Sequence, residues 1–90
     1  MRLSIIGGGQ IGTSVARAAA RSGNYRDITI SEADPEARKA LKALLADDPA
    51  TKRITVTDSN AKAANRADLV VLATPIDQFG PVTQEIAPKL

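Results

Sequence analysis

The stretch that most constrains this chain is its opening, Leu3-Ser4-Ile5-Ile6-Gly7-Gly8-Gly9-Gln10-Ile11-Gly12-Thr13-Ser14-Val15-Ala16. An apolar run meets a cluster of glycines, and a helical pattern follows at once. Gly7, Gly9 and Gly12 occupy the three positions of G-x-G-x-x-G, each with its own physical demand. The first glycine turns sharply out of a strand, where a Cβ would clash. The second leaves bare main chain that a diphosphate can approach. The third lets the helix lie close against the strand. The helix start then presents unpaired N–H groups and the positive end of its dipole. Gly8, Gln10 and Ile11 lie inside the turn, so their amides are candidates for the same phosphates. The Ile11 side chain is expected to pack as core.

The rest of the chain alternates strand and helix signals. Residues 2–6 read as a strand buried on both faces. The helix over 10–22 places Ile11, Val15, Ala18 and Ala19 on one stripe and ends at Gly23, suited to a left-handed C′ position. A second strand covers 27–31. Asp34 and Pro35 read as N-cap and N1 of a helix with Ala37, Ala40, Leu41, Leu44 and Leu45 inward, broken at Asp47-Asp48-Pro49. A third strand is expected over 53–57, and a short helix over 60–65 capped by Asp58 or Ser59. The fourth strand is expected over 68–74. Pro81 falls in the first turn of a last helix carrying Val82, Ile86 and Leu90, with Gly80-Pro81 imposing a kink or a separate short turn ahead of it.

Four strand–helix pairs with short links imply parallel strands. The expected architecture is α/β: a Rossmann-type doubly wound parallel sheet of order 3-2-1-4, truncated after the fourth strand and its helix. Residues 1–90 would form the N-terminal part of a dinucleotide-binding domain.

Composition narrows the chemistry. With one Phe, one Tyr and no Trp, the core must be aliphatic, as suits a parallel sheet under Ala-rich helices. The net charge of +2 is too even, and Lys and Arg too scattered along the chain, to argue for nucleic acid. No apolar run is long enough to span a membrane, and the first segment is too short and glycine-broken for a signal peptide. Zero Cys fits a reducing compartment, so the cytoplasm is the default expectation. Zero His removes the commonest general base and neutral metal ligand; no metal site and no catalytic residue are assigned within these 90 residues.

Glu32 stands about 20 residues after the glycine turn, at the end of the second strand, where an acid accepts hydrogen bonds from the adenine-side ribose. A carboxylate there repels a 2′-phosphate, so NAD is favoured over NADP. Arg38 and Lys39 are close enough in sequence to keep NADP as the alternative. Thr74 and Pro75, at the carboxyl end of the fourth strand, fall where doubly wound sheets bind ligands. Asp34 and Asp77 are assigned to helix capping.

The glycine turn, together with Ala67-Asp68-Leu69-Val70-Val71-Leu72-Ala73-Thr74-Pro75-Ile76-Asp77 and Ala87-Pro88-Lys89-Leu90, resembles the prephenate/arogenate dehydrogenase family. Pyrroline-carboxylate reductases and β-hydroxyacid dehydrogenases resemble it less closely. The resemblance implies NAD(P)-dependent oxidative decarboxylation of prephenate or arogenate in tyrosine biosynthesis, by a longer protein that adds a catalytic His and a helical dimerisation domain. The positions that transfer are Gly7, Gly9, Gly12, Glu32, Thr74 and Pro75. A different class stays open as well: a nucleotide-binding module with no chemistry of its own. The 3-2-1-4 order leaves the fourth strand at an edge, so self-association through it, as a homodimer or otherwise, is expected.

Overall fold

The computed structural model describes all 90 residues. Strands β1 (Arg2–Ile6), β2 (Asp27–Ser31), β3 (Thr55–Thr57) and β4 (Leu69–Leu72) form one sheet of order β3-β2-β1-β4, with every pair parallel. The helices are α1 (Gln10–Ser22), α2 (Pro35–Ala46), α3 (Asn60–Ala64) and α4 (Phe79–Ile86). Short 3-10 turns at Ile76–Gln78 and Ala87–Lys89 flank α4. The architecture is thus the α/β, Rossmann-type sheet that the alternation predicts.

The period-2 alternation of the strands divides the interior in two. Leu3, Ile5, Ile28 and Ile30 face α1 and α2, where they pack with Ala16, Ala19, Leu41 and Leu45. Ile6 faces the other way, with Ala63 and Ala64 of α3 and Val82 and Ile86 of α4. Ser4 and Ser31 alternate with the first group and are also buried. β1 is therefore covered on both faces, as expected.

Capping follows the sequence closely. Asp34 accepts from the Ala37 N–H at 3.2 Å with Pro35 at N1, a cap worth about 1 kcal/mol. Ser59, rather than Asp58, caps α3 by accepting from Lys62 N at 3.1 Å. Gly23 ends α1 at φ 74°.

The differences have local causes. The buried residues of α1 are Gly12, Thr13, Ala16 and Ala19; Ala18 is exposed and Ile11 is 74% exposed, so neither is core. A hydropathy stripe overlooks Gly12, whose merit is its lack of a side chain. On α2 only Leu41 and Leu45 are buried; Ala40 and Leu44 face solvent. β3 begins two residues late because Thr51, Lys52 and Ile54 are held in a turn after α2. In it the Thr51 hydroxyl donates to the Leu45 carbonyl at 2.8 Å. β4 is shorter than expected, although Asp68 N and Ala73 N still donate to β1 carbonyls at either end. Asp77 makes no capping bond to α4, which starts without a side-chain cap, and Leu90 is exposed beyond the helix. Gly80-Pro81 lies inside the first turn of α4, and the separate turn sits just ahead of it.

Candidate functional site

All four strands end on the same side of the molecule. There, the loop after β1 meets the ends of β2 and β4 around a crevice of about 300 Å³. Gly7, Gly8 and Gly9 form its floor, Glu32 one side, and Ala73, Thr74 and Pro75 the other.

The glycines act differently from one another. Gly7 adopts φ +109°, and a Cβ there would lie 2.9 Å from the Ala73 carbonyl oxygen, so neither the turn nor the approach to β4 admits a side chain. A Cβ on Gly12 would run into the Gly7 carbonyl oxygen and press on Ile5, which fixes how closely α1 lies on β1. Gly9 is the opposite case: a Cβ there would meet nothing within 4 Å. Its bareness serves no internal contact. Gly9 is also the N-cap of α1, with no side-chain cap and no acid in the first turn. The amides of Gln10 and Ile11 thus belong to a helix start whose donors are uncapped and whose dipole favours an anion.

Glu32 is placed at the end of β2 and is tied to its surroundings through both carboxylate oxygens. Oε1 accepts from Gly8 N at 3.1 Å and Oε2 from Asp34 N at 3.0 Å. The side chain therefore joins the glycine loop to the start of α2. Two main-chain bonds do not exhaust a carboxylate, which has about four lone-pair sites, so capacity for ribose hydroxyls is left. Arg38, one turn into α2, folds back to donate from Nη1 to the Glu32 and Ala33 carbonyls at 3.0 and 3.1 Å. An acid and a guanidinium thus stand side by side at this corner.

Across the crevice the Thr74 Oγ1 is buried and has no hydrogen-bond partner, while its Cγ2 faces Gly7. A buried hydroxyl without a partner is costly, and a bound polar ligand would relieve it. The open space over Gly9, the uncapped amides and this hydroxyl all fit a dinucleotide diphosphate.

Sequence reasoning passed over one polar wall. Asn60, the first residue of α3, lines the crevice together with Ser31. Its Nδ2 donates to Glu85 Oε1 at 2.9 Å, and its Oδ1 accepts from the Ser31 hydroxyl at 2.6 Å. A carboxylate can only accept, so Glu85 fixes which way the amide faces, and Ser31 must donate. Burial of Ser31 at the end of an apolar strand was the available signal, but a lone Ser carries no periodicity.

No cluster of acids, His or Cys in the structure could hold a metal ion, and no helix is long and apolar enough to cross a membrane. The chain is 33% identical over 93 residues to a glycerol-3-phosphate dehydrogenase [NAD(P)+] of Bradyrhizobium sp. (strain BTAi1 / ATCC BAA-1182). That alignment covers 98% of this chain and 28% of the relative, so the chain spans little more than a quarter of the relative's length. The family model described as NADP oxidoreductase, coenzyme F420-dependent, matches residues 2–90. With its glycine turn, acid and β4 end converging on one crevice, the chain is an NAD(P)-binding oxidoreductase domain and belongs to that family.

Proposed function

We propose that these residues bind the cofactor in a longer dehydrogenase or reductase, with the diphosphate over Gly9 and the adenine-side ribose at Glu32. The observation that carries this reading is the vacant Cβ position of Gly9 above an uncapped helix start. Gln10 and Ile11 supply further main-chain donors to the same anion, whereas the Gly8 N–H, expected from the sequence to join them, is spent on Glu32 Oε1; Thr74 and Pro75 border the other half of the dinucleotide. When bound, the nicotinamide supplies or accepts a hydride; residues 1–90 hold and orient it. The crevice lining offers one titratable side chain, Glu32, which this reading gives to the ribose, so we assign proton transfer and substrate recognition to other segments of the longer protein.

The substrate belongs to a reductase of the kind the relative represents rather than to a prephenate or arogenate dehydrogenase. The relative's name and the family description both favour this reading. The Ala73-Thr74-Pro75 end of β4 favours the second reading, oxidation of prephenate or arogenate. Turnover of glycerol 3-phosphate against prephenate by the longer protein separates the two.

NAD is the preferred cofactor, because the Glu32 carboxylate would repel a 2′-phosphate at the ribose. Arg38 beside it is the observation that favours NADP. Calorimetric titration of the chain with each dinucleotide is the test. Tighter NAD binding supports the assignment of Glu32, tighter NADP binding transfers the corner to Arg38, and no binding of either removes the reading.

A further inference from the structure

Scattered along the sequence, four of the seven arginines are gathered by the fold. Parallel strands all enter from one end, and each is preceded or opened by an arginine: Arg2 begins β1, Arg26 directly precedes β2, Arg53 lies two residues before β3, and Arg66 three before β4. In sheet order they form a row, Arg53, Arg26, Arg2, Arg66, on strands about 4.8 Å apart. Asp27 is shared weakly between Arg2, at 3.6 Å, and Arg26, at 3.9 Å. No ion pair reaches Arg53 or Arg66.

Between the β2 and β3 ends of this row lies a second cavity, of about 250 Å³, at the opposite end of the sheet from the glycine loop. Its walls include Ala20, Tyr25 and the largely buried Ile28 and Ile54; Arg26 and Arg53 stand on its rim. The volume is below that of sites for drug-sized ligands, roughly 300–1,000 Å³. The chemistry is an aliphatic and aromatic wall with two arginines in its lining, Arg53 without an ion pair and Arg26 with Asp27 at 3.9 Å. The carboxyl end of α1 also opens here, carrying about half a negative charge, and Asp27 is shared with Arg2, so Arg53 and the part of the Arg26 charge that Asp27 leaves uncompensated still make the balance positive.

We propose that this cavity is a second ligand site, for a small carboxylate with a branched or single-ring apolar body. The body enters between Tyr25, Ile28 and Ile54, and the carboxylate is held by Arg53 and Arg26, whose planar forks match carboxylate geometry. The arginine row concentrates anions at this end of the sheet. The site is separate from the dinucleotide crevice and does not depend on it.

The test is a titration of the 15N-labelled chain followed by amide chemical shifts, with benzoate as probe and acetate and benzyl alcohol as its two halves. Benzoate should move Gly23, Tyr25, Ile28 and Ile54 and leave Gly7, Gly8 and Gly9 in place, at least tenfold more tightly than either half. The double variant Arg26→Ala/Arg53→Ala alters two exposed side chains and should weaken benzoate at least tenfold at unchanged melting temperature. Ala50→Phe, a change at the cavity mouth, should block benzoate with both arginines present. Acetate matching benzoate, shifts centred on the glycine loop, or unaltered binding by the double variant would each overturn the proposal.

Discussion

The two faces of the sheet are built to different designs. Under α1 and α2, the strands offer Leu3, Ile5, Ile28 and Ile30, and nine buried residues form a continuous aliphatic layer. Under α3 and α4, β1 and β2 offer Ser4, Ile6 and Ser31, and five buried apolar residues suffice. Small side chains explain the second design. Ala63 and Ala64 let the short α3 lie close over the serine-bearing strands, where the Ser31 hydroxyl donates to Asn60 while the buried Ser4 hydroxyl has no partner. One face holds the fold; the other shapes a wall of the crevice. Polar residues in the thin layer are positioned for recognition at the expense of apolar burial.

The comparison can be broken by truncating one isoleucine from each layer. Ile30→Ala and Ile86→Ala each lose the same atoms, for which roughly 2–5 kcal/mol is usual. The Ile30 variant should fall in the upper half of that range and the Ile86 variant in the lower, because the thin layer can collapse onto the gap. Urea unfolding gives both values, and the reverse order would mean that the α3–α4 face is the true anchor. Gly9→Val tests the loop between the layers. It should lower the melting temperature only slightly, through the poorer N-cap, while weakening dinucleotide binding by more than about 100-fold, or ~2.7 kcal/mol. Glu32→Ala should cost roughly 1–3 kcal/mol of NAD binding, the scale of hydrogen bonds to a charged group. Calorimetry showing no loss would reduce Glu32 to a loop brace.

Two smaller effects sharpen the picture. β4 is an edge strand, and Leu69 on it is 43% exposed. We expect the isolated 90-residue chain to self-associate there, and Leu69→Lys to raise the dissociation constant roughly tenfold, about 1.4 kcal/mol, in sedimentation equilibrium. A chain that stays monomeric at millimolar concentration contradicts this. The smallest effect concerns Asp48, whose carboxyl is held below its ordinary value, first by the Ala50 N–H and then by Arg21 at 2.9 Å. A depressed value means stabilisation that is complete above the unfolded pKa and lost as pH falls through the folded one. Asp48→Asn should therefore lower stability slightly at neutral pH and flatten the acid end of the unfolding profile.

Much of this fold was legible in the residues because its signals are local. The glycine turn, the Asp34-Pro35 start and Gly23 each act within a few residues, and the order of strands and helices follows from them. The inward face of α1 was not legible. Gly12 and Ala16 make that face by being small, and the more hydrophobic Ile11 drew the stripe toward solvent. Asn60 and Ser31 escaped notice for a related reason, since their roles arise only when β2, α3 and α4 meet. The start of β3 was obscured by a turn whose key bond, Thr51 to Leu45, joins residues on either side of the helix end. The corner of Glu32 and Arg38 is half visible in the sequence: the two residues stand six apart, but only the fold brings the guanidinium back over the loop.

The hydrogen bond that Glu32 accepts from the Gly8 N–H, with Asp34 N bracing its other oxygen, has a kinetic meaning. A glycine-rich segment left to itself would wander among many shapes, and a guest would have to wait for the right one or impose it. Here the carboxylate clamps the segment from outside before anything arrives. Capture should therefore proceed in one step at a rate set by encounter, with no slow rearrangement following it.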